Sequence, residues 1–431
     1  MVNRYIAMRR IAQLNVPFNN SVFPSSRSYS HYALALLIVV NLHNYTVRQI
    51  PAAVFPLIKV DLHLSDSALG LLGSAFMVCY MVSAPLFGWL GDRRSRAKLA
   101  AIGLTVWSLA IVLAEFATGY RALLLALIAV GIGSASFVTV SPGLLADYFP
   151  REKRGRVMAY FFLAIPVGSA LGYVLGGNIG HHFGWRAAFL VVSLPGLLFA
   201  LPLWFLREPN RVGEVPIARN RHEGTTGYAS LFRNRSFVTT TLAMAAMTFA
   251  FSGLGQWVPT FLFRMHGLDA ATGNTLFGAI TVITGITGTL TGGWLGDRIQ
   301  KKSGKGYLLV SGWGFLLGTP AVIYALLAQN LTQCLAAMFL AEFFLFLNIG
   351  PLNTIVINVT KPEIRSMAFA VNTFFIHALG GAIAPIILGW LSDLWGLRLA
   401  LLAAPLAILL AAFFSFFCIR TIESDMANSE E

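Results

Sequence analysis

Gly88-Trp89-Leu90-Gly91-Asp92-Arg93, followed by Arg94-Ser95-Arg96-Ala97-Lys98, ends one apolar run and opens a short basic loop. The same six letters return 205 residues later as Gly293-Trp294-Leu295-Gly296-Asp297-Arg298, ahead of Lys301, Lys302 and Lys305. Two further echoes keep the order and nearly the offset. Glu152-Lys153-Arg154-Gly155 pairs with Glu363-Ile364-Arg365-Ser366, and Gly184-Trp185-Arg186 pairs with Gly396-Leu397-Arg398. Three echoes spaced by nearly half of 431 residues read as a duplicated half.

Composition sets the class. Hydrophobic residues make up 56% and charged residues 11%, too little charge to cover a soluble surface. The apolar residues come in runs of about 20, enough to cross a ~30 Å hydrocarbon core as helix. A net charge of +13 would suggest nucleic acid in a soluble chain, but here the basic residues sit in short loops between apolar runs. Cys79, Cys334 and Cys418 all fall inside apolar runs, with no disulfide framework or metal-type spacing. Residues 1–30 carry four arginines and no acid, and lack the compact apolar core of a signal peptide.

Twelve spans are predicted, roughly 32–56, 68–90, 99–119, 121–145, 157–179, 187–206, 237–261, 273–294, 306–328, 332–356, 367–391 and 399–419. With both termini inside, 25 of the 31 Lys and Arg residues fall on the inner side and five outside, leaving Arg48 within a span. That bias fixes the expected orientation. The expected fold is an all-α membrane protein, with twelve transmembrane helices in two pseudo-symmetric six-helix bundles. The expected layout is a cytosolic tail over 1–30, a bundle over 31–206, a cytosolic linker over 207–236, a second bundle over 237–419 and a cytosolic tail over 420–431. Two parallel six-span halves on a basic linker form the architecture of secondary transporters that rock around a central cavity.

The loop motif resembles the signature of the major facilitator superfamily, with Gly88, Asp92, Arg93, Arg96 and Lys98 in place and Ser95 where that signature has Gly. A carboxylate at a helix end can cap a neighbouring helix and pair with arginines in one rocking state only. Asp92, Arg93, Arg96, Asp297, Arg298, Arg154 and Arg365 are the expected gating residues. Arg93, Arg94 and Arg96 have the alternative role of topology anchors.

Charge at membrane depth is costly, roughly 2.5–3.5 kcal/mol on insertion scales, and marks function by default. Arg48 lies deep in the first span, after Asn41, His43, Asn44 and Tyr45; Glu342 lies deep in the tenth, before Asn348 and Asn353. In the superfamily the first, fourth, seventh and tenth spans line the cavity, which would bring Arg48 and Glu342 to one cavity from opposite halves. Arg48 then engages an anionic head group, or alternatively ties to backbone carbonyls. Glu342 is a polar partner or proton carrier, or alternatively a structural residue bonded to Asn or His377. The expected substrate-binding set is Arg48, Asn44, Tyr45, Ser134, Gln256, Trp257, Glu342 and Asn348. His43 and His377 read as structurally bonded, and Phe249, Phe251, Phe343, Phe344 and Phe346 as packing or cavity wall. Gly168, Gly172, Gly176 and Gly180 invite close helix approach. The fifth span is similar to the superfamily's antiporter motif, with Tyr173 where Pro is expected.

The runs Asn44-Tyr45-Thr46-Val47-Arg48, Val130 to Ser136, Ala164 to Ser169, Glu342 to Asn348 and His377-Ala378-Leu379-Gly380 resemble the spinster family over about 40 to 400. The resemblance implies transport of lysophospholipids, sphingoid phosphates or related amphiphiles, often with proton coupling. The departures are Val47, Ser134, Leu127 and Gly381, where the family has Asp, Glu, Arg and an acid. They remove its usual proton relay, leaving Glu342 as the remaining coupling candidate or transport uncoupled.

The function expected is secondary transport of an amphiphilic or lipid-like anion, with a polar organic anion such as a sugar acid as the alternative. A non-transporting receptor on the same fold is the reading from another class. No enzyme activity, cofactor or metal is expected: the sequence has neither a nucleophile–base pair at depth nor a GxxxxGK[ST] loop. The expected partners are the bilayer, the small substrate and optionally a proton, with no nucleic acid. The expected form is a monomeric multi-pass protein, in the inner membrane if the source is bacterial.

Overall fold

The computed structural model describes residues 27–209, 230–361 and 364–430. Most of the expected N-terminal tail, the middle of the linker and Glu363 lie outside the described residues. The described elements are helices and their connections. In chain order they are α1 (Arg27–Leu62), α2 (Asp66–Arg93), α3 (Arg96–Glu115), α4 (Tyr120–Tyr148), α5 (Arg151–Phe162, then Ala164–Phe183), α6 (Trp185–Trp204), α7 (Arg235–His266), α8 (Ala270–Ser303) and α9 (Gly306–Leu327). There follow α10 (Leu331–Phe346, then Ile349–Asn358), α11 (Arg365–Ile376, a π-turn His377–Gly381, then Ala384–Trp395), α12 (Leu397–Leu401, then Ala403–Cys418) and α13 (Ile422–Glu430). Among the described residues eleven helices are long and apolar enough to cross a membrane. The twelfth, α1, has the length at 36 residues but carries Asn41, His43, Asn44, Arg48 and Gln49.

The breaks follow from proline. Pro166, Pro351 and Pro405 each lie three or four residues after a break, where the missing N–H leaves a carbonyl of the preceding turn unbonded. Side-chain caps start several helices. Ser65, Ser95, Asn234, Asp269 and Asn330 each accept from the backbone N–H three residues on. The third sequence echo is a corner. Gly184 and Gly396 sit at φ of 88° and 83° between α5 and α6 and between α11 and α12, a region that glycine enters without steric cost.

The duplication is visible in packing. Within the first half α1 packs on α5 and α6, α2 on α4, and α3 on α4 and α6. Six helices later α7 packs on α11 and α12, α8 on α10, and α9 on α10 and α12. The contacts between halves also obey a two-fold relation: α2 meets α11 as α8 meets α5, and α1 meets α7. The glycine stripe of α5 seats α1, since a Cβ at Gly172 would collide with the Thr46 carbonyl oxygen.

Polar contacts between the halves gather at the end opposite the basic loops. Asp66, 2% exposed, accepts both Arg264 guanidinium nitrogens at 2.7 Å, Lys59 Nζ at 2.5 Å and Ser392 Oγ at 2.5 Å. The Asp393 carboxylate of α11 accepts the backbone N–H groups of Asp66 and Ser67, both at 2.8 Å, and so caps α2 from the other half. Asn274 of α8 donates to the Ala53 carbonyl at 2.9 Å, and Tyr173 donates to the Gly255 carbonyl at 2.8 Å.

Where a tail was expected after 419, α13 folds back on the second half. Asp425 accepts the Ser236 N–H that opens α7, Glu423 pairs with Lys305, and Ser429 donates to the Asn358 carbonyl.

Candidate functional site

A cavity of about 340 Å³ lies between the halves. It is lined by α1, α4, α7 and α10, and equally by α2, α5, α8 and α11. Arg48, Tyr45, Gln256 and Glu342 line it. Asn44, Ser134, Trp257 and Asn348 are buried away from it. Their side chains bond to neighbouring helices or within their own helix instead. Asn44 donates to Ser134 Oγ at 2.7 Å, tying α1 to α4. Trp257 donates to the Pro385 carbonyl at 3.1 Å and packs edge-on against Phe55. Asn348 donates to the Phe344 carbonyl at 2.7 Å, satisfying the α10 break.

Arg48 and Glu342 thus reach one cavity from opposite halves, on different terms. The Arg48 guanidinium lies 5.8 Å from the Tyr45 ring centroid and 5.2 Å from that of Phe76, and its hydrogen bond is to Met77 Sδ at 3.7 Å. Among the described residues no carboxylate lies in ion-pair range of it. A thioether is a weak acceptor for a group with five donors, so the charge of Arg48 is left largely uncompensated by the protein. Glu342 accepts hydroxyl hydrogen bonds from Thr281 at 3.2 Å and Thr284 at 3.0 Å, both on α8. These threonines went unread in the sequence; their spacing of three on one helix face was the available signal.

Much of the remaining lining is apolar, including Leu72, Phe76, Met77, Phe251, Phe277 and Phe346. Val47, Leu127 and Gly381 are also on the wall, so the departures from the resembled family bear on the cavity itself. His377 lines the cavity, whereas His43 is packed on Trp107 with Nε2 3.0 Å from the Val192 carbonyl oxygen.

The expected gating residues occupy the basic end. Arg96 reaches Asp147 at 2.8 Å and Asp92 at 3.7 Å, and Ser95 Oγ and the Ala97 N–H bind Glu208. In the second copy Asp297 accepts from Tyr307 OH at 2.7 Å. Arg93 stacks on Trp89 and Arg298 on Trp294, repeating one contact in both halves. Arg154 and Arg365 repeat another: each Nε donates to the carbonyl five residues back, of Phe149 and Thr360. The opposite cluster, Asp66, Arg264, Ser392 and Asp393, was missed. Gly389-Trp390-Leu391-Ser392-Asp393 is nearly a third copy of the opening motif, and that was its signal.

The model of the Major Facilitator Superfamily matches residues 37–385. Protein spinster homolog 1 of Xenopus tropicalis is 34% identical over 390 residues, covering 85% of this chain and 74% of its own. A Danio rerio relative named sphingosine-1-phosphate transporter is 32% identical over 419 residues, covering 89% and 82%. The crystal structure of a bacterial homologue of the human lysosomal transporter spinster, inward-facing and unoccupied, superposes with a TM-score of 0.84 at 23% identity, covering 93% of this chain and 99% of that one. The last likeness is one of fold. With twelve paired helices around one cavity and these relatives, the chain belongs to the spinster-type transporters of the major facilitator superfamily and is a multi-pass integral membrane protein.

Proposed function

We propose that this chain is a secondary transporter that moves an amphiphilic, lipid-like anion across the membrane by alternating access through the cavity between its halves. The observation that carries the reading is Arg48, a guanidinium on an apolar cavity wall with a thioether as its hydrogen-bond acceptor. Neutral solutes leave such a cation uncompensated, whereas a phosphate or carboxylate head group supplies charge and acceptors together. The apolar walls suit the chain of an amphiphile more than the hydroxyls of a sugar acid. The name of the Danio rerio relative points to the same class.

The halves, 31–206 and 237–419, rock as units with both termini in the cytosol, and the protein acts as a monomer. Asp92, Arg93, Arg96, Arg154, Asp297, Arg298 and Arg365 hold the basic end when that end closes, in exchange for the Asp66–Arg264 cluster that holds the other. Glu342 is the site at which a proton would couple.

Uptake into proteoliposomes tests the substrate class. A lysophospholipid should enter and resist competition by a sugar acid. Arg48→Ala should reduce uptake of anionic substrates by at least about tenfold, the worth of a charged hydrogen bond, and spare neutral analogues. Equal loss for anionic and neutral substrates would assign Arg48 a structural role.

A further inference from the structure

The cavity wall opposite Arg48 contains an imidazole with nothing to bind. Pro385 has no N–H to offer the Gly381 carbonyl, which is taken instead by Ser252 Oγ at 2.9 Å. The turn before it widens, and the Ala382 N–H reaches back five residues to the His377 carbonyl at 2.8 Å. His377 opens this π-turn and lines the cavity. Among the described residues its ring makes no hydrogen bond. Nδ1 is shielded and unpartnered, and the ring contact is edge-on to Tyr80 at 6.2 Å. Gly381 packs tightly beside it, since a Cβ there would come within 2.9 Å of Nδ1.

Met77 lies between this corner and Arg48. Its Sδ is 3.7 Å from the Arg48 guanidinium, and its methyl lies 3.6 Å from where the Gly381 Cβ would be. One unbranched thioether therefore lies against the cation with its sulfur and against the Gly381 corner with its methyl. Methionine changes rotamer readily, and an oxyanion is a far better acceptor than its sulfur.

We propose that the substrate's oxyanion displaces the Met77 side chain and is held jointly by Arg48 of one half and by the Nδ1–H of His377 of the other. The inference rests on the anionic substrate proposed above and deepens it. Arg48 is on α1 and His377 on α11, so the head group itself becomes a bond between the halves. His377 is a specificity residue, Met77 is a removable placeholder, and an alkyl alcohol gains nothing from either.

Titration calorimetry on the full chain in nanodiscs, with hexyl phosphate and hexanol as probes and empty discs subtracted, tests this. His377→Phe should weaken hexyl phosphate about tenfold, one charged hydrogen bond, and leave hexanol unchanged. His377→Gln, which keeps an N–H donor, should recover most of the loss. Met77→Leu should strengthen hexyl phosphate several-fold, because the guanidinium loses the acceptor that the ligand must otherwise displace. The inference is overturned if His377→Phe binds hexyl phosphate like the parent or loses both probes equally, or if Met77→Leu weakens the phosphate. Binding that needs Arg48 but not His377 sinks this inference alone. Hexyl phosphate binding that survives Arg48→Ala sinks the anion site beneath it.

Discussion

Asp66→Asn should release the end of the molecule that is now shut. The substitution keeps shape and removes one charge from a cluster that spans the halves. Breaking a buried ion pair by removing one partner costs about 3–5 kcal/mol when both groups are dry. Here the Arg264 side chain is 23% exposed and that of Lys59 34%, so water reaches both cations and softens the loss. Lys59 also belongs to the same half as Asp66, so its share does not bear on separation. What remains is the bidentate Arg264 contact and Ser392, about 2 kcal/mol. At 1.4 kcal/mol per decade, that shifts the ratio of open to shut by about 30-fold. The Asp393 cap is untouched, so Asp66→Asn, Asp393→Ala together should shift it further, by about 1 kcal/mol for the lost cap. Spin labels at Val60 and Leu394, both exposed at this end, report the separation by pulsed dipolar spectroscopy. The single variant should gain a longer-distance population, while Lys59→Met, which cuts a contact within one half, should not. If Asp66→Asn gives the parent's distances, or if Lys59→Met separates the halves as well, the cluster does not hold the halves together.

Glu342→Gln should abolish any pH dependence of uptake in proteoliposomes with an imposed proton gradient; an unaltered pH profile would refute the proton-carrier role. Gly172→Val should prevent α1 from seating on α5 and lower both yield and melting temperature, because the added carbons meet the Thr46 carbonyl and the Gln49 Cβ; a normal melting temperature would contradict that close approach. Asp269 caps α8 through the Thr272 N–H at 2.9 Å and hydroxyl at 2.8 Å, bonds that hold its carboxyl below the ordinary carboxylate range. A depressed folded-state value means the stabilisation is complete above the unfolded Asp value and is lost as pH falls through the folded one. Asp269→Ala should therefore destabilise by about 1 kcal/mol at neutral pH and less in acid, read by thermal unfolding at two pH values.

The two-fold frame was legible because it was written twice. The repeated Gly-Trp-Leu-Gly-Asp-Arg loops, the two glycine corners and the length of the apolar runs each map onto a feature of the structure. The placing of Arg48 and Glu342 on one cavity was legible for a similar reason, since charge at membrane depth has few tolerable environments. The rest of the site was harder. Asn44 and Trp257 sit on the right helices but turn their polar atoms to Ser134 and Pro385, and helix rotation is set by neighbours rather than by the residue itself. Asp66, Arg264 and Asp393 lie at helix ends, where charge is unremarkable, and Asp393 meets Asp66 across 327 residues. His377 was read as structurally bonded because a lone histidine on an apolar helix usually is. Its missing partner became visible only once Gly381 was placed beside it.

The backward fold of α13 has a consequence for biosynthesis. α7 enters the bilayer with its Asn234 cap alone, and the carboxylate that takes the Ser236 N–H belongs to Asp425, translated 189 residues later. The first six helices can mature as they emerge, but the second six are stitched at the rim bearing the basic loops only after nearly all of them have been inserted. A premature stop just after Arg420 would therefore spare every membrane crossing and still remove the ties that Glu423, Asp425 and Ser429 make to the α8–α9 turn, α7 and α10.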